Sequence, residues 1–169
     1  MTAKRRHFAK PKPSQKQVNQ KGMVITMNVN QISVFLENRT GQLAETTRLL
    51  ADNGIDLRAI SIAETADYGV LRMIVDDADR AAQILLSHGC ILTMTPVTVV
   101  GLLDQPASLA NLLDIFTAGG IDIEYMYALF THTKGKAYMV FRVTDDAKLD
   151  ALLAKNGIAP VTKEELGLK

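Results

Sequence analysis

One cysteine, Cys90, is all the chain carries, so no disulfide can form within it and a reducing compartment fits. No apolar run approaches the roughly 20 residues that a bilayer-spanning helix needs. A secretory signal is missing as well, because the basic start meets Pro11, Lys12 and Pro13 where an apolar core would stand. These absences predict a cytoplasmic protein with no membrane partner. Reactive chemistry is equally sparse. His7, His88 and His132 share no metal-ligand spacing, and neither phosphate-loop nor dinucleotide glycine patterns occur. Cys90 follows Gly89 at a turn and reads as a small apolar residue rather than a nucleophile. Asp76, Asp77 and Asp79 read as a helix start ahead of a cation site. The expectation is no catalytic set, no metal and no cofactor, hence not an enzyme.

Acid is missing from one stretch. Residues 1–22 hold seven bases and no carboxylate, which leaves 12 of the 19 bases against all 18 acids elsewhere, a net of about −6 for the body. With Pro11, Pro13 and little apolar content, residues 1–22 are expected to form a disordered basic tail. The tail reads as a solvated extension, or a leader ahead of a start at Met23 or Met27, before it reads as a nucleic-acid arm. Nucleic acid is not an expected partner.

The body, by contrast, is strongly patterned. Ile32, Val34 and Leu36 alternate with Gln31, Ser33 and Phe35, the period of a strand that buries one face more than the other. Glu37-Asn38-Arg39-Thr40-Gly41 breaks the pattern, and Leu43, Thr47, Leu50 and Ala51 then share a helical stripe that stops at Asn53-Gly54. Strand spacing resumes over 57–64. A shift of 66 residues carries Gly54-Ile55-Asp56 onto Gly120-Ile121-Asp122, Leu43 onto Leu109 and Leu50 onto Phe116. The second copy reads as strand 97–103, loop Asp104-Gln105-Pro106, a helix with Leu109, Leu112, Leu113 and Phe116 inward, and strand 121–130. Each copy then adds a third strand, 69–75 or 136–143, and an acidic helix start at Asp76-Asp77 or Asp145-Asp146. Ala81, Ala82 and Leu85, or Leu149, Leu152 and Leu153, form the buried stripes, and final strands start at Ile91 and Ile158.

The order predicts an α+β fold of two ferredoxin-like βαββαβ repeats, residues 28–97 and 98–163, with antiparallel sheets carrying both helices on one face. A repeat of about 70 residues buries little by itself. Phe35, Leu57, Ile60, Met73, Ile74, Tyr125 and Tyr127 make both sheet faces partly apolar. A covered second face is therefore expected, and with it a homodimer packed face to face or a longer continuous sheet.

The loop into the first helix is the candidate site. Amides in the first turn of a helix lack internal acceptors and sit at the positive end of its dipole, so they can hold a small anion. Gly41 lets a ligand approach that backbone and Asn38 supplies a side-chain amide. The competing reading makes Asn38 and Thr40 helix caps and Gly41 a plain turn.

LENRTGQL at 36–43, running into a helix that ends before GIDL at 54–57, resembles the ACT domain, a small-molecule-sensing module. The resemblance covers roughly residues 28–161, and with GIDIEYMY at 120–127 the doubled arrangement resembles stand-alone tandem ACT proteins. The first copy is also similar to the regulatory subunit of acetolactate synthase. The resemblance implies a non-catalytic regulatory protein that binds a free amino acid between neighbouring modules. It puts the family's loop asparagine at Asn38, its glycine at Gly41 and its polar residue after the helix at Asp56. Asp104 and Ala107 stand at the asparagine and glycine of the second copy, so the first copy is the expected working site. On that reading the loop Asn38, Arg39, Thr40 and Gly41 holds the ligand, with its carboxylate on the amides of Gln42 and Leu43. The ammonium would reach Asn38, Asp56 or a neighbouring copy's Asp122. The alternative implied is a regulatory subunit of a separate biosynthetic enzyme such as acetolactate synthase.

Overall fold

The structure, a computed structural model, describes residues 17–18, 24–25, 28–64, 68–130 and 134–169. Most of the expected tail, with His7, lies outside the described residues, and so does His132. Gln17–Val18 (β1), inside the expected tail, pairs antiparallel with Val24–Ile25 (β2), just beyond it.

The first repeat runs Val29–Glu37 (β3), Gln42–Asp52 (α1), Leu57–Glu64 (β4), Tyr68–Val75 (β5) and Ala78–Ser87 (α2), then enters Ile91–Leu103 (β6). The second runs on from β6 through Ser108–Ala118 (α3), Ile123–Ala128 (β7), Lys136–Val143 (β8) and Asp146–Lys155 (α4). All six long strands form one antiparallel sheet in the order β4-β5-β3-β6-β8-β7. This is α+β with two ferredoxin-like repeats, realised as one continuous sheet. The two strands expected at Ile91 and Val97 are a single 13-residue strand shared by both repeats. β3 pairs along Ile91 to Val97 and β8 along Thr98 to Leu103. The strand expected from Ile158 does not form: Val161 N–H donates to Val99 O at 2.9 Å, and Pro160 beside it has no amide proton to continue a ladder.

Helix ends follow the local signals. Asp77 and Asp145 cap α2 and α4, accepting from the amides of Arg80 and Lys148, which satisfies one orphan donor in each first turn. Gly54, Gly89, Gly120 and Gly157 follow the four helices with positive φ, the left-handed turn that closes a helix end. The inward stripes of α2, α3 and α4 contain Ala81, Ala82 and Leu85, Leu112 and Phe116, and Leu149 and Leu153. The stripe of α1 is rotated from the expected one: Thr46 and Leu50 are buried, while Leu43 and Ala51 are exposed. Thr46 reaches the interior because its hydroxyl donates to Gln42 O at 2.9 Å, which removes the cost of burying it.

Three cores result. Two lie between the helices and the sheet of each repeat, one around Ile32, Val34, Leu71 and Leu85, the other around Val100, Phe116, Phe141 and Leu149. The third joins the helix-free faces of the two repeats through Val29, Ala59, Ile74, Val97, Tyr127, Leu129 and Val140, with Val161, Leu166 and Leu168 packed at its margin. The Phe130 amide donates to Arg58 O at 2.8 Å between the sheet's two outer ends. Around this seam the second face is covered from inside the chain, while Phe35 and Ile91 toward its loop end stay exposed. No helix among the described residues is long and apolar enough to cross a membrane.

Candidate functional site

The loop after β3 bends through Gly41, which opens α1 in the left-handed region at φ 90° and makes no side-chain cap. A Cβ at Gly41 would meet only Glu45 Oε1 at 3.7 Å, so the glycine is required by its backbone angle and not by crowding. Asn38 and Thr40 are exposed and cap nothing, against the competing sequence reading. The Gln42 amide donates to Arg39 O at 3.3 Å and the Glu45 amide to Gly41 O at 2.9 Å. The unspent first-turn amides are therefore those of Leu43 and Ala44, one residue further on than expected. Arg39 forks onto Glu45, with Nη2 2.8 Å from Oε2 and Nη1 3.2 Å from Oε1. Those hydrogen bonds, with the guanidinium charge, hold the Glu45 carboxyl below its ordinary range.

The second copy repeats this geometry with the wrong residue. Ala107 opens α3 at φ 69°, the one non-glycine with positive φ among the described residues, and its carbonyl accepts from Asn111 as Gly41 does from Glu45. The bend is thus set by the strand-to-helix connection.

Asp56 and Asp122 are not brought to the loop within one chain. Asp56 lies past the far end of the 11-residue α1, about 16 Å from its start. Its carboxylate pairs with Arg58 at 3.2 Å and its amide donates to Asp76 Oδ1. Asp122 precedes β7, the edge strand that β8 separates from β6, whereas the loop follows β3 on the other side of β6. Neither of two surface cavities, about 110 Å³ beside Asp77 and Lys169 and about 230 Å³ beside Gly101 and Tyr138, is lined by the loop. Among the described residues no group of three or more His, Cys, Asp or Glu side chains could hold a metal ion. Burial raises the Cys90 thiol pKa, away from the reactive thiolate.

A polar cluster that sequence reasoning missed sits where the repeats meet. Gln31 is fully buried on the helix-free face of β3. Its Nε2 donates to Ser33 Oγ and to Tyr125 Oη, both at 2.9 Å, and its Oε1 accepts from Tyr127 Oη at 2.7 Å. Arg72 of β5 lies 4.1 Å over the Tyr125 ring. Alternation along β3 marks Gln31 and Ser33 as the less buried side, and only the second repeat covering that side reverses the expectation.

The sequence profile described as an ACT domain pair matches residues 27–168. No curated protein matches the chain. Among solved structures, protein BT0572 from Bacteroides thetaiotaomicron is 35% identical, with 83% of this chain and 96% of that chain covered and a TM-score of 0.77. The ligand-free regulatory subunit of aspartate kinase from Thermus thermophilus is 17% identical, with 79% and 95% covered and a TM-score of 0.56. The corresponding subunit from Thermus flavus is 17% identical, with 79% and 94% covered and a TM-score of 0.54.

Proposed function

The chain belongs to the family of ACT domain pairs, and on that footing we propose that it is a non-catalytic regulatory protein that senses a free amino acid. Family membership supports a regulatory, ligand-binding role. The observation that carries the finer reading is the exposed start of α1, where left-handed Gly41 leaves the amides of Leu43 and Ala44 unspent. A ligand carboxylate would be held there by two aligned N–H groups and the helix dipole. A single chain offers the carboxylate half of such a site, because Asp56 and Asp122 lie elsewhere. The homodimer belongs to the same proposal: a second copy would bring one of these carboxylates to the ligand ammonium. Binding would favour the arrangement in which the copies meet, by only as much as ligand affinity differs between arrangements. The fold shared with two regulatory subunits keeps the second reading, a subunit serving a separate biosynthetic enzyme, within the same role.

Calorimetry against the twenty amino acids tests the reading. The expected result is one saturable ligand, weakened about tenfold or more by Asn38→Ala and lost in Gly41→Val. Unchanged affinity in both variants, or no ligand among the twenty, overturns it.

A further inference from the structure

We propose that the helix-free face of the first repeat carries a second ligand site, centred on Arg72, that takes a small monocarboxylate with an apolar body and no ammonium group. The inference does not rest on the amino-acid reading, and the two sites share no residue. Four residues form one cross-strand row on this face, Ser61, Arg72, Ser33 and Thr93 from β4, β5, β3 and β6. Tyr125 of the second repeat closes the row from the side. The Gln31 amide dictates the hydrogen-bonding sense of this group. Its two protons go to Ser33 Oγ and Tyr125 Oη, while the Tyr127 proton takes its carbonyl. Both hydroxyls have therefore accepted, and each keeps a proton with no protein acceptor among the described residues. Ser33 is only 8% exposed, where an unmade hydrogen bond is costly.

Arg72 adds the charge. Among the described residues no carboxylate lies within ion-pair distance of it, and its recorded contact is with the Tyr125 ring. A contact with the ring face spends none of the guanidinium N–H groups, which leaves them for a carboxylate. Three kinds of donor thus lie along this row with no carboxylate paired to them among the described residues, a combination that favours an anion over an ammonium. One row along the same face, about 7 Å by strand geometry, lie Ala63, Val70, Phe35 and Ile91. Phe35 is 42% exposed and Ile91 71%, so an apolar surface adjoins the anion site. That distance suits a short aliphatic chain or a single phenyl ring attached to the carboxylate. The basic stretch 1–22 has no acid and cannot itself supply the anion.

The test is an amide-resolved NMR titration of the full chain with hexanoate and phenylacetate, and hexylammonium as the charge-reversed probe. Saturable shifts centred on Ser33, Val70, Arg72 and Tyr125, at millimolar concentration or below, are expected for the acids and none for the amine. Arg72→Gln and Tyr125→Phe should each weaken binding about tenfold. Arg72→Lys, which keeps the charge without the fork, should fall between and serves if the glutamine variant is unfolded. The proposal is overturned by absence of saturation, by equal response to the amine, or by unchanged affinity in the folded variants.

Discussion

Removing the buried amide at the seam between the repeats should weaken the fold in a way that identifies its partners. Gln31→Leu leaves the Tyr127 hydroxyl, at 9% exposure, without the acceptor it reaches at 2.7 Å. It also deprives Ser33 and Tyr125 of their donor. Stranding one buried hydroxyl costs about 1–3 kcal/mol, while leucine returns some apolar burial, so a net loss of about 2 kcal/mol is expected. Tyr127→Phe alone strands the Gln31 carbonyl oxygen and should cost about 1 kcal/mol. Combined, the substitutions leave neither group stranded, and the double variant should lose about 1 kcal/mol less than the sum. Urea unfolding at fixed pH, with an unchanged m-value, measures each corner of the cycle. Strictly additive losses would show that the two side chains do not depend on one another, and the description of the seam would be wrong.

Two further outcomes concern the backbone and the same tyrosine. Ala107 occupies a left-handed conformation that costs a non-glycine residue about 1–2 kcal/mol, partly offset by the smaller unfolded-state entropy of alanine. Ala107→Gly should therefore stabilise the protein by about 0.5 kcal/mol and Gly41→Ala destabilise it by a similar amount, both read by chemical denaturation. The opposite pair of signs would refute the strain assignment. Tyr127 has its hydroxyl pKa raised first by burial and then by Tyr125, with Arg72 opposing. Its unfolded form ionises near pH 10 while the folded form holds its proton, so stability is intact below about pH 10 and falls as pH rises beyond it. Tyr127→Phe should flatten that alkaline limb relative to the parent protein. An equal slope in both would assign the loss to other groups.

Local chemistry was legible wherever the deciding interaction lay within a few residues. Asp77 and Asp145 cap helices, Gly54 and Gly120 end them with positive φ, and the stripes through Leu85, Phe116 and Leu149 face inward, each from short-range pattern. The repeat itself, visible in the 66-residue echo of Gly54-Ile55-Asp56, sufficed for the fold class. Reading failed where polar and apolar residues compete for one face. Leu43 and Ala51 drew the expected stripe of α1 to the wrong side, because a threonine that bonds its own helix backbone can be buried and a count of apolar residues cannot register it.

At the candidate site the sequence pointed to the loop and its glycine but not to which amides remain unspent, since that depends on Gln42 turning back to the Arg39 carbonyl. Nor could it show that Ala107 takes the angle of the glycine it replaces, because the angle is imposed by the elements on either side. What the chain alone determined is therefore the four helices of the described residues, most of the strands, their duplication and the family. Tertiary structure decided that β6 serves both repeats, that their open faces bury one another around the seam, and that Gln31 lies in the interior while Arg72 has no ion pair among the described residues. The physical reason is range: capping, turning and periodicity act over a few residues, whereas the burial of a face depends on which distant surface arrives to displace its water.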